Sequence, residues 1–347
     1  MHFLIQTPEP QAYDEEIRAL GSQLLLCEGW PDRPLHFVRN FQRILRESGP
    51  FDVIHSHPFL ASGAILRLAA SEGVPIRIAH SHSAVPKEKQ SPLPRQIYSR
   101  LMRHWIWTYA TQGLGCSEVA ATQLFGEAWR HDPRFSILFY GIEMERFANL
   151  PATPELRASL QIPPDRKILG HIGRFVEVKN HAFLIELFAS LLKSSPSYHL
   201  ILVGHGPLFD PIKQQIERLG LSSFVSMVGL QSNVLPYLAL MDLLLLPSFY
   251  EGLPVTLIEA QAASLPAIAS SAVTKEVDVI DGLVERISLQ EPLTVWEDAI
   301  RRKIAAPRPP HASCYQAMLK SPMNLQFCLS RLRALYEIPL AQNTASF

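Results

Sequence analysis

The run Leu243-Leu-Leu-Leu-Pro-Ser-Phe-Tyr-Glu251-Gly-Leu-Pro-Val-Thr-Leu-Ile-Glu259-Ala260 decides the fold. Four consecutive leucines leave no alternating polar face, which is how a strand buried on both sides of a parallel sheet reads. A glycine and a proline then interrupt the pattern, and apolar residues resume at helical spacing. The stretch therefore predicts a strand, a loop and a helix over 256–263. Ligands of open parallel sheets bind beyond the carboxyl ends of strands, and this loop is equipped for one. Gly252 lets backbone approach a ligand closely. Pro254 suits the first turn of a helix, where a missing N–H costs nothing. The helix would aim free amides and its positive dipole end at an anion. Glu251 before the helix and Glu259 within it offer carboxylates to sugar and ribose hydroxyls.

Outward from this unit, short apolar runs alternate with amphipathic stretches. In the first half 51–56, 75–79, 113–116 and 135–139 read as strands, with helices at 60–71 and 96–110. In the second half strands fall at 168–172, 199–203, 225–228, 243–247 and 267–270, with helices at 182–193 and 209–219. Such alternation implies α/β architecture, parallel sheets with helices on both faces. It pauses at 151–166, where Pro151, Pro154, Pro163 and Pro164 mark a linker. The simplest organisation is two Rossmann-like domains facing each other across a cleft, 1–150 and 167–322, with a helix and tail over 323–347. A length of 347 residues with 47% hydrophobic and 18% charged residues accommodates two such cores.

Lys plus Arg equals Asp plus Glu at 32 each, which argues against a nucleic-acid partner and makes any anion site local. Cys27, Cys116, Cys314 and Cys328 form no CxxC pair, the pattern of reduced thiols in a cytoplasmic protein. No signal peptide and no membrane span is visible. One local anion site is available where the strand at 168–172 ends: Gly173, Arg174 and Lys179 flank a turn that opens a helix. A pyrophosphate needs cations and donors on two sides. Alone, Arg174 and Lys179 read equally well as solvated surface cations, and the 248–260 loop tips the balance. His55, His57, His80 and His82 end two strands, and alternate residues share a face, so four imidazoles can converge. Zinc is one reading, but no Cys or carboxylate spacing supports it, and satisfied structural histidines are the commoner explanation. Between 86 and 109, Lys87, Lys89, Arg95, Arg100 and Arg103 interleave with Trp105, Trp107 and Tyr109. That pattern suits either an ordinary solvated helix or one lying at an anionic membrane surface.

The order Gly-Arg-Phe-x-x-x-Lys-Asn (173–180), Leu-Val-Gly-His-Gly-Pro (202–207) and the 247–266 loop and helix resembles the retaining glycosyltransferases of family 4 over nearly the whole chain. The segments Ala272-Val-Thr-Lys-Glu-Val-Asp278 and Tyr13-Asp-Glu-Glu-Ile-Arg-Ala-Leu20 resemble the subgroup that builds exopolysaccharide or capsule. The resemblance implies a GT-B fold and a nucleotide-diphosphate sugar as donor. Arg174 and Lys179 would hold its diphosphate and Glu259 its ribose. Glu251 would contact the transferred sugar, and Gly252, Leu253 and Pro254 would supply backbone to the phosphates. Gly204 and Gly206 would shape the loop beside the nucleotide, and Leu230 would lie near the base. His80 would contact the donor sugar beside the reacting carbon, with His82 as its substitute. A glycan or polyprenyl-linked acceptor is implied, with the protein cytoplasmic and peripheral on the inner membrane face. Neither a metal nor a cofactor is called for, and no DxD pair is present. One departure stands out: family members begin with a strand and a double-glycine loop, whereas this sequence opens at what resembles the second strand. A missing central strand would leave a sheet gap or an unpaired edge. A GT-B-fold epimerase and a sugar-nucleotide-binding subunit without turnover stay open as alternatives. A dehydrogenase does not fit, because no GxGxxG follows a strand.

Overall fold

The computed structural model describes residues 1–83 and 92–337, so Lys87 and Lys89 lie outside the described residues. Among the described residues twelve strands form three parallel sheets. The first pairs β1 (His2–Ile5) with β2 (Gln23–Leu26). The second has the order β3 (Val53–Ser56), β4 (Ile76–Ser81), β5 (Gln112–Gly115), β6 (Phe135–Ile137). The third holds β7 (Lys167–Ile172), β8 (Tyr198–Val203), β9 (Val225–Gly229), β10 (Leu243–Leu246), β11 (Ala267–Ser270) and β12 (Val284–Ile287), in the order β12-β11-β10-β7-β8-β9. Two Rossmann-like domains result, as the alternation implies.

The leucine run explains the rear domain. Leu243 and Leu245 enter one core with Leu169, Leu200, Phe188 and Trp296. Leu244 and Leu246 enter the opposite core with Ile168, Ile201, Leu257 and Ala269. All four are at most 1% exposed, each worth roughly 1.5–3 kcal/mol of burial. That second core also takes Cys116, Ala120, Met144 and Phe147 from the other side of the linker, so apolar packing joins the domains.

Several elements depart from expectation. The 151–166 linker contains a helix, Pro154–Ser159. The 256–263 helix begins one residue earlier, at Val255, and makes Pro254 its N-cap rather than a first-turn residue. β2, β12 and the helices Pro34–Ser48, Leu293–Ala305 and His311–Leu319 were not anticipated. The front domain carries a seam: among the described residues β1 pairs with β2 and β3 with β4, and no ladder joins the two sheets. Side chains span it instead, with Cys27 and Phe37 packed against Ile65 and Ala69 and the His2 ring edge-on to Phe51 at 5.2 Å.

Candidate functional site

In the order β12-β11-β10-β7-β8-β9, chain direction across the sheet reverses between β7 and β10. That junction is the topological switch point, where the loops leaving two neighbouring strands diverge and open a crevice. The loop after β7 carries Gly173, Arg174 and Lys179, and the loop after β10 carries Glu251 to Pro254. The two are tied together. The Lys179 Nζ donates to Glu251 Oε1 at 2.7 Å, with side chains only 18% and 11% exposed. The Phe249 amide donates to the Val178 carbonyl at 2.8 Å, and Thr256 Oγ1 to the Ile172 carbonyl at 3.4 Å. Arg174 stands exposed at the rim.

Gly204 and Gly206 extend this floor. The Gly204 amide donates to Gly229 O at 2.8 Å, joining the loop after β8 to the end of β9. Gly204 has φ +131°, and a Cβ there would lie 2.0 Å from Gly173 O, so only glycine lets the β7 and β8 loops close on each other. A Cβ on Gly206 would meet Phe175 O at 2.6 Å. Leu230 follows Gly229 and is 82% exposed, an apolar side chain held in solvent at the end of β9.

The helix tip offers less than expected. The Val255 and Leu257 amides already donate to Leu253 and Pro254 carbonyls at 3.0 and 2.9 Å. Glu259, one turn in, has its carboxyl pushed up to about 7 by burial, with Arg146 pulling the other way. Arg146 was not singled out from sequence. It sits in the Met144–Phe147 turn and donates to Asn233 Oδ1 at 3.2 Å, which brings the 230–233 segment and Glu259 to one neighbourhood. Nothing in a linker-side arginine 113 positions from its partner would have flagged it.

The front domain meets this site at its histidines. A Cβ on Gly252 would sit 2.3 Å from His82 O and 3.6 Å from Cys116 Sγ, so β4's end touches the β10 loop. The four imidazoles do converge, with ring centroids 4.3 Å apart for His55–His57, 5.1 Å for His55–His80 and 4.1 Å for His80–His82. Two tyrosines invisible to the motif reading anchor them: Tyr336 on His55 Nδ1 and Tyr140 on His82 Nδ1, both at 2.7 Å. Burial, reinforced by the neighbouring imidazoles, lowers His80 to about 2, His55 to about 3 and His82 to about 4. His80 is therefore neutral at physiological pH, and its buried Nε2 lacks a hydrogen-bond partner among the described residues. It can exchange a hydrogen bond with a hydroxyl but cannot carry a proton as an imidazolium.

The basic and aromatic row on the Leu93–Tyr109 helix is largely spent internally. Arg103 donates to the Gln123 and Leu124 carbonyls, Trp107 to Phe125 O, and Trp105 lies under Arg67 at 4.4 Å. What faces outward is an apolar row at i, i+4 and i+8, Leu93, Ile97 and Leu101, 68%, 58% and 42% exposed, with Arg100 beside it. No helix among the described residues is long and apolar enough to cross a membrane. A shallow depression of about 550 Å³ beside β12 lies two strands outside the junction. Its arginines are already paired, Arg286 with Asp278 and Arg302 with Glu285.

Known proteins match both halves. Residues 152–305 match the model described as glycosyl transferases group 1, and residues 2–133 the glycosyl transferase 4-like domain. Over 338 residues the chain is 38% identical to EpsF of Bacillus subtilis (strain 168), named as a glycosyltransferase, covering 97% of this chain and 88% of that protein. It is 25% identical over 264 residues to the capsular polysaccharide biosynthesis glycosyltransferase CapH of Staphylococcus aureus, covering 74% of this chain and 69% of CapH. Among solved structures, Anabaena HepE in complex with UDP aligns with a TM-score of 0.75 at 18% identity, covering 96% of this chain and 98% of that one. That likeness shows the fold, which is GT-B.

Proposed function

The chain belongs to the group 1 glycosyltransferases with a 4-like front domain, and we propose that it transfers a sugar from a nucleotide-diphosphate donor, with retention, to a glycan or polyprenyl-linked acceptor. The observation that carries this reading is the Lys179–Glu251 tie at the β7–β10 junction, directly beneath the histidine end of β4. An ammonium has three donors, so one bond to Glu251 leaves two for a diphosphate. Glu251 holds Lys179 in place, and Arg174 approaches from the rim. As the glycosidic bond breaks, negative charge develops on the leaving nucleoside diphosphate, and these cations stabilise it. No metal is required for that neutralisation. Glu259 takes the ribose hydroxyls, Leu230 lies by the base, and His80 with Glu251 contacts the sugar. The acceptor hydroxyl attacks on the leaving-group face, a phosphate oxygen taking its proton.

The likeness to CapH supports a place in capsule or exopolysaccharide synthesis, and the UDP in HepE makes UDP-sugars the first donors to test. The exposed Leu93–Ile97–Leu101 row supports peripheral seating on a membrane that presents a lipid-linked acceptor. A thermal-shift panel of UDP-, GDP- and ADP-sugars checks the donor site, since ligand raises apparent stability with affinity and dose. One nucleotide class should raise Tm for the parent protein and leave Glu259→Ala unmoved. An undiminished shift in Glu259→Ala would falsify the ribose assignment. Retention is read from the anomeric configuration of the product by NMR.

A further inference from the structure

We propose that His55, His57 and His80 form a binding site for one divalent transition-metal ion of the zinc class. Ligand-capable nitrogens of the three lie within 4.8 Å of one another. His55 and His80 stand on the adjacent strands β3 and β4 and His57 directly follows β3, with His80 one step beyond the Ser56–Ala79 register pair. Two nitrogens on a tetrahedral zinc ion, each about 2.0–2.1 Å from it, are about 3.3 Å apart. His55 Nε2 and His80 Nδ1 are 3.1 Å apart, so one edge of the tetrahedron is already drawn.

The surrounding groups orient the outer two rings as metal ligands are oriented. His55 turns Nδ1 to the Tyr336 hydroxyl at 2.7 Å and keeps Nε2 inward. His57 turns Nδ1 to His82 Nε2 at 2.7 Å, and His82 in turn meets the Tyr140 hydroxyl at 2.7 Å. Both outer rings thus use one nitrogen on a second partner and leave the other for an ion, the usual arrangement around ligating histidines. The relay from Tyr336 through His55 reaches Nδ1 of His80, a ring only 5% exposed. Three neutral imidazoles with no carboxylate select zinc, cobalt, nickel or copper over magnesium or calcium, and three protein ligands leave a fourth position open. Resting on the transfer reading, an ion on His80 Nδ1 fixes the ring proton on Nε2, which then cannot accept from a donor-sugar hydroxyl, so zinc inhibits.

The test uses the full chain stripped with chelator, desalted and titrated with zinc alone, followed by metal analysis and calorimetry. One ion per chain should bind. His57→Ala, chosen because that ring is exposed and its loss spares the core, should weaken binding by about 100-fold or more, while His36→Ala should not. Cobalt should give visible absorption of a four-coordinate site that His57→Ala abolishes. In transfer assays zinc should inhibit the parent protein and leave His57→Ala active. Absence of uptake, or uptake untouched by His57→Ala and so due to adventitious surface histidines, overturns the site. Zinc uptake without inhibition supports the site and removes an accepting role for His80 from the transfer reading.

Discussion

Glu259 sets a conflict between stability and binding at a single carboxyl. Burial raises it from 4.5 to about 7, so the folded chain holds a proton that the unfolded chain releases earlier. Between those two values the folded state binds more protons, and stability falls as pH rises through that window. The cost is complete above about pH 7, where donor binding wants the carboxylate. Glu259→Gln removes the charge while keeping the shape. It should raise Tm at pH 8 more than at pH 5.5, the difference reaching about 2 kcal/mol at 1.36 kcal/mol per unit, and should abolish the sugar-nucleotide shift at both. Equal stabilisation at the two pH values would show that burial does not raise this group. Glu259 was legible as a binding residue because it follows a buried strand, a glycine and a proline. Its suppressed ionisation was not, because that depends on packing that spacing does not encode and that outweighs the pull of Arg146.

At the scale of elements, what could be read depended on how each strand is buried. β10 announced itself because both faces of Leu243–Leu246 enter apolar cores. β12, Val-Glu-Arg-Ile, was missed because it is an edge strand pairing only β11, half polar, and too short for alternation to register. The helix Pro34–Ser48 had a readable stripe in Phe37, Phe41, Ile44 and Leu45. The Lys179–Glu251 pair had none, since 72 positions separate its members and only the β7–β10 adjacency brings them together. The Leu93–Tyr109 helix shows the converse: its basic and aromatic residues were conspicuous in sequence, yet three of them are consumed by packing. The apolar row left outside predicts the behaviour instead. Ile97→Glu combined with Leu101→Glu should reduce co-sedimentation with vesicles rich in anionic lipid by 10-fold or more, since each loses apolar contact and adds repulsion on the order of 1 kcal/mol. Thermal stability should be nearly unchanged, because both positions are already exposed. Unaltered vesicle binding would assign membrane contact elsewhere or nowhere.

Across the whole molecule the chain crosses between domains twice. It leaves the front domain past Ile142, builds the six-stranded domain, and returns at Asn324. The outgoing and returning segments pair where they pass: the Ile142 amide donates to Met323 O at 2.9 Å and the Leu325 amide to Ile142 O at 3.0 Å. The helix Leu325–Tyr336 then closes the front sheet, with Leu332, Leu335 and Tyr336 against Ile76, Ile78, Leu114 and Leu138. The front sheet thus depends on the helix Leu325–Tyr336, whereas among the described residues the rear core around Leu200, Leu243 and Trp296 takes nothing from beyond Ile304. Leu332→Asp together with Leu335→Asp should unseat the helix, since carboxylates cannot stay against that apolar face. The front domain should lose on the order of 3 kcal/mol, and one calorimetric transition should split in two, the first roughly 10 °C lower. The second should still rise with the sugar nucleotide that stabilises the parent protein. A single transition lowered as a block would mean that the apolar contacts of Met144 and Phe147 with the rear core couple the domains more strongly than the returning helix divides them.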